Sequence, residues 1–103
     1  MKHDIKLVLL VIIAARKQKD ALLTALPEFG AHLLHTTYAK GSVKVGSLPF
    51  ALGFIPEKDK VIITCVLSYT QANIVFSMLS EKFRFGEPNT GISFTIPVEN
   101  IAY

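Results

Sequence analysis

The sequence predicts an α+β domain in which a four-stranded antiparallel sheet carries two helices on one face. Three observations lead there. The runs "IKLVLLVIIAA" and "KVIITCVLS" are apolar at nearly every position and rich in β-branched residues, as strands buried on both faces are. Two other segments, "KQKDALLTALPEF" and "SYTQANIVFSMLSEKF", carry apolar residues at helical spacing. The pieces follow one another as β-α-β, a long loop, then β-α-β. That order is the ferredoxin-like β-α-β-β-α-β arrangement.

Taken in order, the first strand covers Leu7 to Ala15. Basic residues followed by an apolar run also resemble a short signal peptide, but Asp4 is atypical of one. The run is nine residues long, far below the roughly 20 needed to span a bilayer. A buried first strand is therefore expected. In the first helix Ala21, Leu22, Ala25, Leu26 and Phe29 share a face. Pro27 should distort it or end it early, and Gly30 closes it as a C-terminal glycine does. "AHLLHTTYAK" reads as the second strand, ending at Gly41. "GSVKVGSLPFALGFIPEKD" has too many glycines and prolines for regular structure and reads as a long loop or hairpin. The second helix opens with Ser68 and Gln71 in capping-box spacing. Its apolar face is Ala72, Val75, Phe76, Leu79 and Phe83. In the last strand Ile92, Phe94 and Ile96 alternate with Ser93 and Thr95.

Two helices cover one face of such a sheet, yet strands one and three are apolar on both. A second subunit is the expected cover, so the pattern favours a compact homo-oligomer.

Composition narrows the function. At 103 residues the chain reads as one domain spanning 1–103. Half of it is hydrophobic, and its formal charge is only +3. The cluster Arg16, Lys17 and Lys19 reads as a solvated helix start rather than a nucleic-acid patch. RNA binding by a ferredoxin-like sheet needs aromatics on the central strands, and strands one and three have none. The one cysteine, Cys65, reads as a buried small hydrophobe and fits a reducing cytosol. His32 and His35 would face opposite sides of a strand and could not share a metal. No nucleophile–base pair or carboxylate pair is apparent, so no catalysis is expected.

The most specific stretch is "FGEPNTGISFTIPVE" near the C-terminus. A glycine-bounded polar loop runs into a strand that ends in Pro-Val and an acid. With "EFGA" after the first helix, "AKG" after the Thr-rich second strand and the order of elements, the chain resembles the PII signalling family over nearly its whole length. The matching positions are Lys40, Gly41, Gly86, Gly91, Phe94, Pro97 and Val98.

The resemblance implies a trimer with its sheets facing inward and ATP or ADP held in clefts between subunits. It implies a loop after strand two that docks on enzymes, transcription factors or membrane transporters. It also implies a cytoplasmic regulatory protein rather than an enzyme. The ligand-binding positions expected on this basis are His35, Lys40, Gly41, Ser42, Lys44, Arg84, Gly86, Glu87, Asn89, Thr90 and Gly91. The amides of Glu87, Asn89, Thr90 and Gly91 would form a nest for an anion. Lys40, Lys44 or Arg84 would supply charge. The partner surface would be Val43, Val45, Leu48, Phe50, Leu52 and Phe54, unless that loop packs on its own trimer.

The chain departs from the family where phosphates are held. Thr90-Gly91-Ile92 stands in place of Asp-Gly-Lys, and no arginine pair follows the last strand. Each lost charge-assisted hydrogen bond is worth about 1.5–3 kcal/mol, so weak nucleotide binding is expected. The alternatives are a trimeric scaffold without ligand sensing and a CutA-like ion-tolerance protein of the same fold.

Overall fold

A computed structural model describes residues 6–40, 59–87 and 90–99. Its first strand, β1 (Leu7–Ala15), passes directly into a 3-10 turn at Arg16–Gln18 and the helix α1 (Lys19–Ala25). Pro27 cannot donate the next helical hydrogen bond, and the chain tightens to a 3-10 turn over Leu26–Phe29. Gly30 ends it in the left-handed conformation, at φ 96°. Its N–H bonds to the Pro27 carbonyl at 3.2 Å, and that of Ala31 bonds to Leu26 at 3.1 Å. The expected distortion at Pro27 and the glycine cap are both present.

The second strand, β2 (His35–Lys40), is shorter than the sequence suggested. Leu33 is left-handed, at φ 56°, which breaks the extended run before the strand begins. The strand β3 (Asp59–Ser68) follows, then the helix α2 (Tyr69–Lys82) and the strand β4 (Gly91–Pro97). Ser68 caps α2 as its spacing required: its hydroxyl accepts from the Gln71 N–H at 3.1 Å.

The four strands form one antiparallel sheet in the order β2-β3-β1-β4. Backbone bonds extend the central pairing at one end. Tyr69 N–H donates to Lys6 at 2.8 Å, and Val98 N–H donates to Leu7 at 3.0 Å. This is the α+β, ferredoxin-like architecture.

One sheet face is Val8, Leu10, Ile12 and Ala14 beside Val61, Ile63, Cys65 and Leu67. Both helices bury against it, with Leu22 and Leu26 from the α1 region and Ala72, Val75, Met78 and Leu79 from α2. Met78 belongs to this core although the sequence reading had not placed it there. Cys65 is buried as expected, and its thiol donates to the His32 carbonyl at 2.9 Å.

The opposite face has no helix on it among the described residues. Leu9, Val11 and Ile13 lie at its centre and pack with Ile62 and Ile92. Register places Ile92 beside Ile13, Phe94 beside Val11 and Ile96 beside Leu9. The apolar half of β4 therefore faces away from the helices. Val66, Phe94 and Ile96 are exposed there. The polar half, Ser93 and Thr95, pairs with Ile12 and Leu10 on the helix side. An apolar stripe turned away from the core is unusual for a lone small domain.

Candidate functional site

The loop between α2 and β4 is held together by its own backbone. Phe83 and Phe85 N–H groups both reach the Leu79 carbonyl, at 3.0 and 3.1 Å. Between them Arg84 is left-handed, at φ 59°, a conformation that usually falls to Gly or Asn at a helix end. This turns the chain out of α2. The Arg84 carbonyl then accepts from the Glu87 N–H at 2.9 Å. The Thr90 hydroxyl lies 2.6 Å from that same carbonyl and 2.8 Å from the carbonyl of Glu87. One hydroxyl proton is thus shared between two acceptors, and Thr90 staples the two ends of the loop.

These bonds use groups that the sequence had offered to an anion. The Glu87 amide is committed to Arg84. Gly91 has a packing reason to be glycine. A Cβ there would stand 2.6 and 2.8 Å from two ring carbons of Phe85 and closer still to a third. Gly86 is different. A Cβ there would meet only the Ser80 hydroxyl, at 3.7 Å, so its surroundings are open. Arg84, Gly86 and Glu87 are exposed. Asn89 lies outside the described residues. So do Gly41, Ser42 and Lys44, and the partner positions Val43, Val45, Leu48, Phe50, Leu52 and Phe54.

His35 and Lys40 are on β2, at the other edge of the sheet. His35 is exposed and pairs with Thr64, which pairs with Val11, so it lies on the face away from the helices. Lys40 pairs with Asp59. Gly91 pairs with Ala14, and Ala15 pairs with Lys60 beside Ala39. The end of β2 and the start of β4 are therefore at the same end of the sheet. Three strand spacings separate them, about 14 Å. Within one chain the strand carrying His35 and Lys40 and the described residues of the Arg84–Gly91 loop stand at opposite edges of the sheet.

Cations collect at this end. Among the described residues, Arg16, Lys17 and Lys19 follow β1, Lys60 is the second residue of β3, and Arg84 precedes β4. Among the described residues the acids nearest them are Asp20, Asp59 and Glu87. Tyr38, paired with Val61 on the helix side, organises two of the cations. The Arg16 guanidinium sits 4.5 Å from its ring centre and the Lys19 ammonium 5.6 Å. Lys19 Nζ also donates to the Tyr38 hydroxyl at 3.1 Å. That bond, with the nearby Asp20 carboxylate 3.7 Å away, pushes the Lys19 pKa up. Sequence reasoning had left these side chains as a solvated helix start. Only the pairing of β2 with β3, which brings Tyr38 beside the end of β1, reveals the cluster.

A cleft of about 620 Å³ opens at the opposite end of the sheet, lined by Lys6, Leu7, Tyr69, Thr95, Pro97 and Glu99 among others. Among the described residues none of the expected ligand-binding positions lines it, although Pro97 and Val98, which match the family pattern, do. Among the described residues no group of His, Cys, Asp or Glu is arranged to hold a metal, and no helix is long and apolar enough to cross a membrane.

Compared with known proteins, the chain matches no family model and no curated protein sequence. Solved structures do match. One is described as a PII-like signaling protein from Thermus thermophilus. It superposes with a TM-score of 0.67 at 20% identity, over 91% of this chain and 88% of that one. Another is the GlnK–ATP complex of B. subtilis, with a TM-score of 0.66 at 16% identity, over 90% of this chain and 82% of that one. Such identities speak for the architecture and not for the ligand. The fold of this chain is the PII-like one.

Proposed function

We propose that the chain is a PII-like regulatory protein that assembles as a homotrimer through its open sheet face. It senses a small anionic metabolite or adenine nucleotide in clefts between subunits. It regulates a target protein such as an enzyme or a membrane transporter. The proposal includes no catalysis and a cytoplasmic location.

The observation that carries this reading is the apolar stripe of β4. Ile92, Phe94 and Ile96 face away from the helices, next to Leu9, Val11 and Ile13. A face of this kind is stable when another copy covers it. The placement of the expected ligand residues supports the same conclusion. The β2 edge and the loop before β4 are too far apart to hold one small molecule within a subunit. Apposition of one subunit's β2 edge to another's β4 edge would bring them together.

The B. subtilis relative was solved with ATP, so adenine nucleotides are the first ligands to test. Ile92 replaces a cation of the family pattern, and weak nucleotide binding is expected. Calorimetry with ATP and with ADP, with and without magnesium, tests this on protein whose mass has been set by sedimentation equilibrium. The expected result is a trimer that binds either nucleotide weakly. A folded monomer at micromolar concentration would remove the clefts and the proposal with them.

A second reading, a trimeric scaffold or CutA-like protein without ligand sensing, has its own support. The Glu87 amide, the Thr90 hydroxyl and the space above Gly91 are all taken up within the loop. A trimer that binds no nucleotide or small anion between its subunits would favour it.

A further inference from the structure

Three segments meet at the end of the sheet opposite the cation cluster: the start of β1, the start of α2 and the end of β4. Backbone bonds pin them together. The Tyr69 N–H reaches the Lys6 carbonyl at 2.8 Å, and the Val98 N–H reaches the Leu7 carbonyl at 3.0 Å. Ser68 caps the first turn of α2 beside them. The cleft of about 620 Å³ between these segments has the size of a small-molecule site, for which about 300–1,000 Å³ is usual. Pro97 pairs with Val8, and Val8 belongs to the core under the helices. The cleft therefore lies on the helix side of β4, apart from the apolar stripe of Ile92, Phe94 and Ile96.

Its lining combines two chemistries. Leu7, Val8, Pro97 and Val98 make an apolar wall, and Tyr69, 54% exposed, stands beside it. Lys6 and Glu99, both exposed, bring one positive and one negative charge to the same space. Neither has an ion pair among the described residues. Each class of ligand meets this lining differently. An anion is attracted by Lys6 and repelled by Glu99, and a cation the reverse. A neutral apolar molecule gains from the wall alone. A zwitterion with an apolar body gains from the wall and from both charges.

We propose that this cleft binds a zwitterion with a large apolar side chain. The Lys6 ammonium holds its carboxylate and the Glu99 carboxylate holds its ammonium. Tyr69 and Pro97 pack on its side chain. Free apolar amino acids and short apolar peptides share this chemistry. The site lies within one subunit, so it stands whether or not the chain forms a trimer. It uses none of the residues expected to hold a ligand between subunits.

The test is a titration of the full-length protein, followed by NMR at the amides of Lys6, Leu7, Tyr69 and Val98. L-phenylalanine, 3-phenylpropionate, phenethylamine, glycine and the dipeptide phenylalanyl-leucine are added separately at constant pH and ionic strength. Phenylalanine or the dipeptide should give saturable shifts at these amides. Phenylpropionate lacks the ammonium, phenethylamine the carboxylate and glycine the side chain, and each should bind at least several-fold more weakly. If the dipeptide binds more tightly than phenylalanine, the natural ligand is a short peptide; otherwise it is a free amino acid. Lys6→Gln should weaken binding of the zwitterion about two- to fivefold, as loss of an exposed ion pair does, and leave phenethylamine unchanged. Glu99→Gln should weaken the zwitterion equally and leave phenylpropionate unchanged. Both positions are exposed, so the variants should keep the fold. The proposal is overturned if neither phenylalanine nor the dipeptide gives a saturable shift at tens of millimolar. An analogue that binds as tightly as the zwitterion would overturn it too, as would parental affinity for the zwitterion in either variant.

Discussion

Phe94→Glu probes the open face most directly. Phe94 lies midway along β4, opposite Val11, and keeps 40% of its surface exposed in the single chain. Full burial of such a side chain is worth about 1.5–3 kcal/mol, so covering what remains is worth about 0.6–1.2 kcal/mol per subunit. Val66 at 54% exposure and Ile96 at 47% contribute about 0.8–1.6 and 0.7–1.4 kcal/mol on the same scale. In the proposed trimer these side chains would supply about 6–13 kcal/mol, against about 4–15 kcal/mol for each of the two association steps that form it. Such an assembly would have little to spare. Glutamate removes the Phe94 share and adds an unpaired carboxylate to a desolvated surface, at a further cost of several kcal/mol. In a lone subunit the same carboxylate reaches water from an edge strand, and the fold survives.

Sedimentation equilibrium at micromolar concentration, with far-ultraviolet circular dichroism as the check on folding, should find a trimeric parent and a folded, monomeric Phe94→Glu. The control is Ile74→Glu on α2, which is 49% exposed and lies away from that face. It should keep the parental mass. Refutation comes in two forms. If Phe94→Glu retains the parental mass, the open face is not the interface. If Ile74→Glu dissociates as well, the effect is one of charge rather than of place.

Other expectations follow from single contacts. Gly91→Ala forces the Phe85 ring out of position and should lower stability by about 1–3 kcal/mol, read as a lower midpoint in urea, whereas Gly86→Ala should be nearly neutral. Ser68→Ala removes the bond to the Gln71 N–H and should cost about 1 kcal/mol by the same measurement. Burial pushes the Cys65 thiol above its ordinary value of 9.0. The folded state then holds a proton that the unfolded chain loses first, so this contribution is complete below the unfolded value and declines as pH rises through the folded one. Cys65→Ala should therefore lose less stability than the parent on going from neutral to strongly alkaline pH. The native thiol should also react slowly with a disulfide reagent at pH 8 and fast in denaturant.

Much of the architecture was legible in the residues themselves, because its signals are local. β-branched runs without polar interruptions read as strands apolar on both faces. Ser68, Pro27 and Gly30 act within a turn or two of where they stand, and each was found doing what its chemistry requires. The "GEPNTG" loop was likewise recognisable as a loop leading into a last strand. What alternation along a strand cannot say is which side the helices will take. The sequence showed that Ile92, Phe94 and Ile96 share one side of β4. Only the pairing with β1 placed that side away from the helices. The candidate site divides in the same way. Residue type nominated His35, Lys40 and the loop before β4. Strand order, a non-local property, set them at opposite edges of one sheet. Gly91 was expected to offer its amide to an anion, yet its lack of a side chain has a packing reason, because the Phe85 ring occupies that space. Arg16 and Lys19 looked like solvated charges because Tyr38, nearly twenty residues away, meets them only when β2 joins β3. Periodicity and capping are set by neighbours along the chain. Coverage of a face and convergence of side chains are set by packing between distant segments, and those the tertiary structure alone decided.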